Sequence, residues 1–286
     1  MVAGLFLLKW DVGYNLNYLV PDDLVIIDQE PLIVAEEVLW EENVIDTIDL
    51  PNCTEIRKIM FWTGQDGNKE MIKYYICEED VIESRKVRSS GHYLDDLYEG
   101  MYMHDKQFLD ALIEGYGYKI EAEHLNRLDA ARMVVRSIQS IPYTLVHSHD
   151  HERAEKGLPH RVEYHKEARS KYGQHIDRIG GCLQSINESG VVSPLEFASH
   201  HMGDCDSRTM FLYTIMSELG FDVVILGSQI ERHSILGISI NLDRHREDFY
   251  LQNGTTKYYV WETTNTGFDL GMYPGWDQQK WTIDLN

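Results

Sequence analysis

Cys205 stands between two carboxylates, in the run Gly203-Asp204-Cys205-Asp206, where an apolar helical pattern begins. Neighbouring negative charge makes a thiol harder to ionise, so a reactive cysteine here needs a compensating field. Its position supplies one. Asp204 is placed as the helix N-cap, its side chain accepting from first-turn amides. Cys205 then lies among the orphan N–H groups at the positive end of the helix. That setting, beside a cationic imidazole, takes a thiol from roughly 8.5 into a range of about 3.5 to 7.5. The expectation is a lowered thiol pKa, with Asp206 turned to solvent or toward Arg208.

A nucleophile needs a base, and the base needs an orienting group. His233, 28 positions after Cys205, opens the apolar run "HSILGISI" and projects from the start of a strand. Glu262, 29 positions further on, ends "YYVWE", where its carboxylate can hold the second imidazole nitrogen. Asn265 and Asp269 compete with it for that role. Acyl transfer also requires donors for an oxyanion. The backbone N–H of Cys205 is one by position, and the side-chain candidates are Gln139 in "SIQSIPY" and Gln184 in "GCLQSIN". A rival constellation is "HSHDHE": on a strand, His147, His149 and His151 would share one face at metal-ligand spacing. It lacks distant His or Asp partners in a βα context, so a solvated histidine-rich loop is the better reading and no metal is expected.

The elements that must position these groups are legible in outline. Up to about Ser84, "LVIID", "PLIVAEEVLW", "IRKIMFW" and "MIKYYICEE" read as strands punctuated by turn signals. Residues 106–114 read as helical. Residues 121–140 form an amphipathic pattern through Leu125, Leu128, Ala131, Val135 and Ile138, closed by Pro142. The polar stretch 147–171 reads as a surface loop. Ser193-Pro194 with Glu196 opens a short helix. The helix after Cys205 shows an apolar line of Leu212, Ile215 and Leu219, and Gly220 takes the left-handed position at its end. "DVVILGS", "HSILGISI" and "YYVWETT" then read as three strands.

The composition narrows the partners. Asp and Glu outnumber Lys and Arg 47 to 26, a formal charge of −21, which disfavours nucleic acid and anionic membranes because both are polyanions. The apolar start "VAGLFLL" is too short to span a bilayer and lacks a basic flank. The four cysteines show no CxxC pair, a pattern that fits a reducing compartment, with the cytoplasm favoured, or a protein indifferent to disulfides.

"GDCDSRTMFLYTIMSELGF", "RHSILGISI" and "VWETTNTGFDLG", approached by "VRSIQSIPY" and "VVSPLEFASHHMGDC", resemble the transglutaminase-like cysteine peptidase superfamily over residues 125–271. The resemblance implies an α+β fold: a papain-like core with the nucleophile helix packed on an antiparallel sheet. It makes Cys205 the nucleophile, His233 the base and acid, and Glu262 the carboxylate, although aspartate is the commoner third residue. On this basis residues 121–286 are expected as the catalytic domain, while the strand-like runs leave residues 1–120, which show no such resemblance, as a β-rich N-terminal region. The expected activity is thiol-dependent hydrolysis of an amide bond in a protein or peptide substrate, without a cofactor. Transamidation or glutamine deamidation uses the same triad, and a non-catalytic peptide-binding module of the same fold is the alternative of another class.

Overall fold

The structure, a computed structural model, describes residues 53–90, 94–143, 145–147, 182–184, 191–241 and 248–286. The first two strands, β1 (Glu55–Thr63) and β2 (Lys69–Cys77), pair as an antiparallel hairpin. Their alternation turns Met60, Trp62, Ile72, Tyr74 and Ile76 inward, as period-two patterning requires. Cys53 and Cys77 close a disulfide beside this hairpin, Cα to Cα 5.2 Å. The disulfide departs from the free thiols that a reducing compartment would leave. Separation by 24 residues hides the pair in sequence, and the antiparallel fold-back brings it together.

Beyond Cys77, where a β-rich region is expected, the described chain to Ala122 is helical: α1 (Glu78–Ser90), α2 (Leu94–Asp105) and α3 (Asp110–Ala122). Glu78, Glu79 and Asp80 fill the first turn of α1, where negative charge complements the helix dipole. The single helix expected over 121–140 is instead two. His124 adopts a left-handed φ of 51°, and Asn126 then caps α4 (Arg127–Gln139), accepting from Leu128 and Asp129 backbone N–H groups. The strand runs "LVIID" and "PLIVAEEVLW" lie outside the described residues.

β3 (Leu145–His147) and β4 (Cys182–Gln184) form a short parallel pair. Then α5 (Pro194–His200) starts with the expected capping box between Ser193 and Glu196, and α6 (Cys205–Glu218) follows. A five-stranded antiparallel sheet completes the unit: β5 (Asp222–Ser228), β6 (His233–Ser239), β7 (Tyr250–Asn253), β8 (Thr256–Trp261) and β9 (Thr282–Leu285), in the order β7-β8-β6-β5-β9. The fold class is α+β. β9 was not anticipated, because four residues with two polar positions carry almost no strand signal.

Both faces of the sheet are covered, which explains the continuous apolar run in β5. Val223, Ile225, Leu236, Ile238 and Trp261 face the main core with α6 and the hairpin. Val224, Leu226, Ile235 and Val260 face a smaller core closed by Tyr273 and Trp281. α6 is buried nearly all round, Met210, Phe211, Ile215 and Met216 being inaccessible, rather than along one apolar line. The hairpin and the helices through α3 share this main core, and all described residues belong to one unit, 51–286. Among them no helix is long and apolar enough to cross a membrane.

The disulfide closes a loop whose two ends both meet the hairpin. Replacing Cys53 and Cys77 together by serine is expected to lower unfolding stability by about 3.5 kcal/mol, the chain-entropy value for a loop of this length. Urea denaturation of both forms under non-reducing conditions measures it.

Candidate active site

α6 begins where two constraints meet. Asp204 caps it, its Oδ1 accepting from the Ser207 N–H at 3.3 Å and the Ser207 hydroxyl at 2.9 Å. Gly203 is required just before, since a Cβ there would lie 2.7 Å from Ser207 Cβ and 2.8 Å from the Phe197 ring. The cap therefore presses against α5, and Cys205, only 6% exposed, is fixed on the first turn of a helix that has no room to shift.

His233 opens β6 and Glu262 follows the last residue of β8, and these strands are hydrogen-bonded neighbours. Their side chains meet directly, His233 Nε2 to Glu262 Oε2 at 2.8 Å. The other carboxylate oxygen accepts from the Thr264 N–H at 2.8 Å and its hydroxyl at 2.7 Å. Nδ1 is thus the nitrogen left for the thiol. It is buried without a closed hydrogen bond, although the Cys205 side chain is near enough to couple to the imidazole. Such contacts are commonly looser at rest than in the reacting complex. Tyr273 and Trp281 flank the imidazole, each with its ring centre 6.3 Å away.

Of the competitors for the third position, Asn265 is exposed and Asp269 is held by Arg132 at 2.9 and 3.1 Å. Gln139, an oxyanion candidate, uses its amide nitrogen to donate to the Glu262 carbonyl at 2.7 Å and the Phe268 carbonyl at 3.1 Å. Both its N–H groups are spent, so it positions the Glu262 backbone. Gln184 is the last residue of β4, in register with His147. Of the rival histidines only His147 falls in the described residues; His149 and His151 lie outside them.

Several contributors escaped sequence reasoning. Arg208 is fully buried and donates to the carbonyls of Gly203, Ile138 and Ile141 at 3.1, 3.0 and 2.6 Å. It ties the end of α4 to the approach to Cys205. The signal was an arginine inside an otherwise apolar helical run. Thr209 bridges α6 to the other two members, its hydroxyl 3.2 Å from the Ser234 carbonyl and 3.3 Å from the Thr263 hydroxyl. Asp206 is half-buried and faces the Tyr98 hydroxyl at 3.5 Å rather than Arg208.

The electrostatics overturn the expectation of an acidic thiol. Burial, reinforced by Asp206 and opposed by His233, pushes Cys205 up to about 11. The helix end does not offset removal of the thiolate from water. Burial likewise opposes a charged imidazole, but the Glu262 carboxylate and then Cys205 hold His233 well above its usual range. Burial also works to raise Glu262, and the charge and hydrogen bond of His233 outweigh it, bringing the carboxyl down to about 2. At neutral pH the site rests as thiol, imidazolium and carboxylate. Cys205 and His233 titrate as a couple, and the form that a nucleophilic attack requires is thiolate beside imidazolium.

No family model, curated protein or solved structure matches this chain. The chemistry of the site therefore rests on its own geometry.

Because Asp206 raises the thiol pKa, Asp206→Asn is expected to move the pH profile of Cys205 alkylation downward. His233→Ala, which removes the cation that lowers it, moves the profile upward. Iodoacetamide labelling across pH, read by peptide mass spectrometry, checks both directions. A wild-type midpoint near or below neutrality would contradict the protonated resting thiol.

Proposed function

We propose that this protein is a thiol-dependent amide-bond hydrolase with a transglutaminase-type, papain-like core, acting through an acyl-enzyme on Cys205. The observation that carries the reading is the buried His233–Glu262 contact at 2.8 Å beside a cysteine on the first turn of a buried helix. In a catalytic cycle, thiolate attacks the amide carbonyl and the electron pair moves to oxygen. Collapse of the tetrahedral species breaks the C–N bond, and the imidazolium gives its proton to the departing amine. The neutral imidazole then takes a proton from water as that water attacks the thioester. The acid leaves, and thiolate beside imidazolium is restored. Glu262 stays ionised throughout and stabilises the cationic imidazole.

The same acyl-enzyme passes to an amine instead of water in a transamidase, and forms from a glutamine side chain in a deamidase. Casein incubated with the protein, with and without dansylcadaverine, separates the three by new N-termini, dye incorporation or ammonia release. Whichever is found is expected to fall at least about 10³-fold in Cys205→Ala, in line with loss of a nucleophile from a triad. Independently of substrate, p-nitrophenyl acetate is expected to leave an acetyl group on Cys205. Amide cleavage undiminished in Cys205→Ala would refute the proposal.

A further inference from the structure

α5 ends on a residue in a costly conformation. His201 takes the left-handed position that closes the helix, φ 53° and ψ 41°, its N–H returning to the Phe197 carbonyl at 2.8 Å. Glycine is the usual occupant of that position, because a β-carbon there crowds the following carbonyl. Another residue keeps such a conformation only where its surroundings hold it. One phenol from the hairpin does so. Tyr74, only 3% exposed, donates its hydroxyl to the Ala198 carbonyl at 2.7 Å, at the end of α5 where helical donors run out. The hydroxyl has a single proton to give, so its oxygen accepts from the Nε2–H of His201, 2.6 Å away. Burial, with Lys58 and His200 adding to it, brings His201 down to about 4, and the imidazole is neutral at neutral pH.

Only Met202, Gly203 and Asp204 separate His201 from Cys205, and the last two are immobilised. Gly203 is pressed against Ser207 and the Phe197 ring, and its carbonyl accepts from Arg208. Asp204 is fixed by its cap on Ser207. The Phe197 ring also packs on Phe211 of α6, centres 4.8 Å apart. A shift at the end of α5 therefore passes to the first turn of α6. Resting on the acyl-enzyme reading above, we propose that Tyr74 and His201 are positioning residues for the nucleophile. The hydroxyl pins the left-handed turn, and the turn sets where the Cys205 sulfur stands against the His233 imidazole. Both act through the backbone between α5 and α6 rather than on a substrate.

Tyr74→Phe keeps the ring and removes the hydroxyl. It is expected to slow acylation of Cys205 by p-nitrophenyl acetate about 10-fold, short of the roughly 10²-fold that a misplacement of about 1 Å produces. The pH midpoint of Cys205 labelling by iodoacetamide is expected to move upward as well, because a thiol farther from the imidazolium ionises less readily. Adding His201→Gly to Tyr74→Phe is expected to recover most of both losses, since glycine adopts a left-handed φ without crowding. A support for the fold alone would lower the urea midpoint and leave both readouts of the folded protein as in wild type. That result, an unmoved rate or labelling midpoint, or a double variant no better than Tyr74→Phe, would overturn the role. If Tyr74→Phe does not reach the native fold, His201→Ala and His201→Gly take its place. Both lose the hydrogen bond, but only alanine keeps the crowded β-carbon, so it is expected to acylate more slowly and to label at higher pH than glycine. Equal behaviour of the two would overturn the inference. A wild-type Cys205 that alkylates but never acylates would instead refute the acyl-enzyme reading, without any variant, and the labelling midpoints would still decide the positioning role.

Discussion

The arrangement depends on one buried contact, the carboxylate of Glu262 against the imidazole of His233. Removing two charges from water costs several kcal/mol per ion unless geometry and further hydrogen bonds offset it. The surroundings meet that condition. Thr264 gives both its N–H and its hydroxyl to the second carboxylate oxygen, while Gln139 holds the Glu262 carbonyl. Tyr273 and Trp281 cover the imidazole from the side. Without these, the pair would neutralise by proton exchange and the imidazole would lose its fixed charge. Much of the polar structure around the ends of α4, α6 and β8 follows from the need to keep a charged pair in a dry place.

Three separate stretches of chain must converge for this to happen, and buried side chains make the joints. Arg208 joins the α4 terminus to the turn before Cys205, and its own charge is sustained away from water: burial lowers its pKa to about 10 against the opposing pull of Tyr143 and Asp204. Thr209, one residue on, reaches toward β6 and the segment after β8. Because α6 is packed on nearly every side, small movements at these joints have little room to relax, as expected of interiors packed like organic crystals. The thiol is held in place by the core itself.

How much of this could be read from the chain follows from which signals are local. The caps of α5 and α6 and the strands β5, β6 and β8 were legible, because N-cap chemistry and apolar runs are written over a few consecutive residues. The grouping of Cys205, His233 and Glu262 was legible through their placement at element ends. What failed was non-local. The break at His124 depends on one left-handed residue inside an unbroken apolar period. The disulfide and β9 depend on which segments meet in space. The thiol pKa went the wrong way because sequence shows the helix end and the two aspartates, but not that Cys205 is almost wholly buried.

That burial gives the two aspartates a coherent part. Asp204 is needed for the cap, and Asp206, set against Tyr98, adds to the cost of a thiolate. A thiol kept protonated is a poor partner for exchange, since thiolate is the attacking species. The same chain carries a Cys53–Cys77 disulfide, and disulfides persist where the surroundings are oxidising. In such surroundings a permanently ionised Cys205 would be open to oxidation and to mixed disulfides. Burial and the flanking carboxylates suppress those side reactions at rest, while His233 and Glu262 hold ready the cation that stabilises the thiolate once the couple loses its proton. The residues that seem to oppose a nucleophile thus set when it forms.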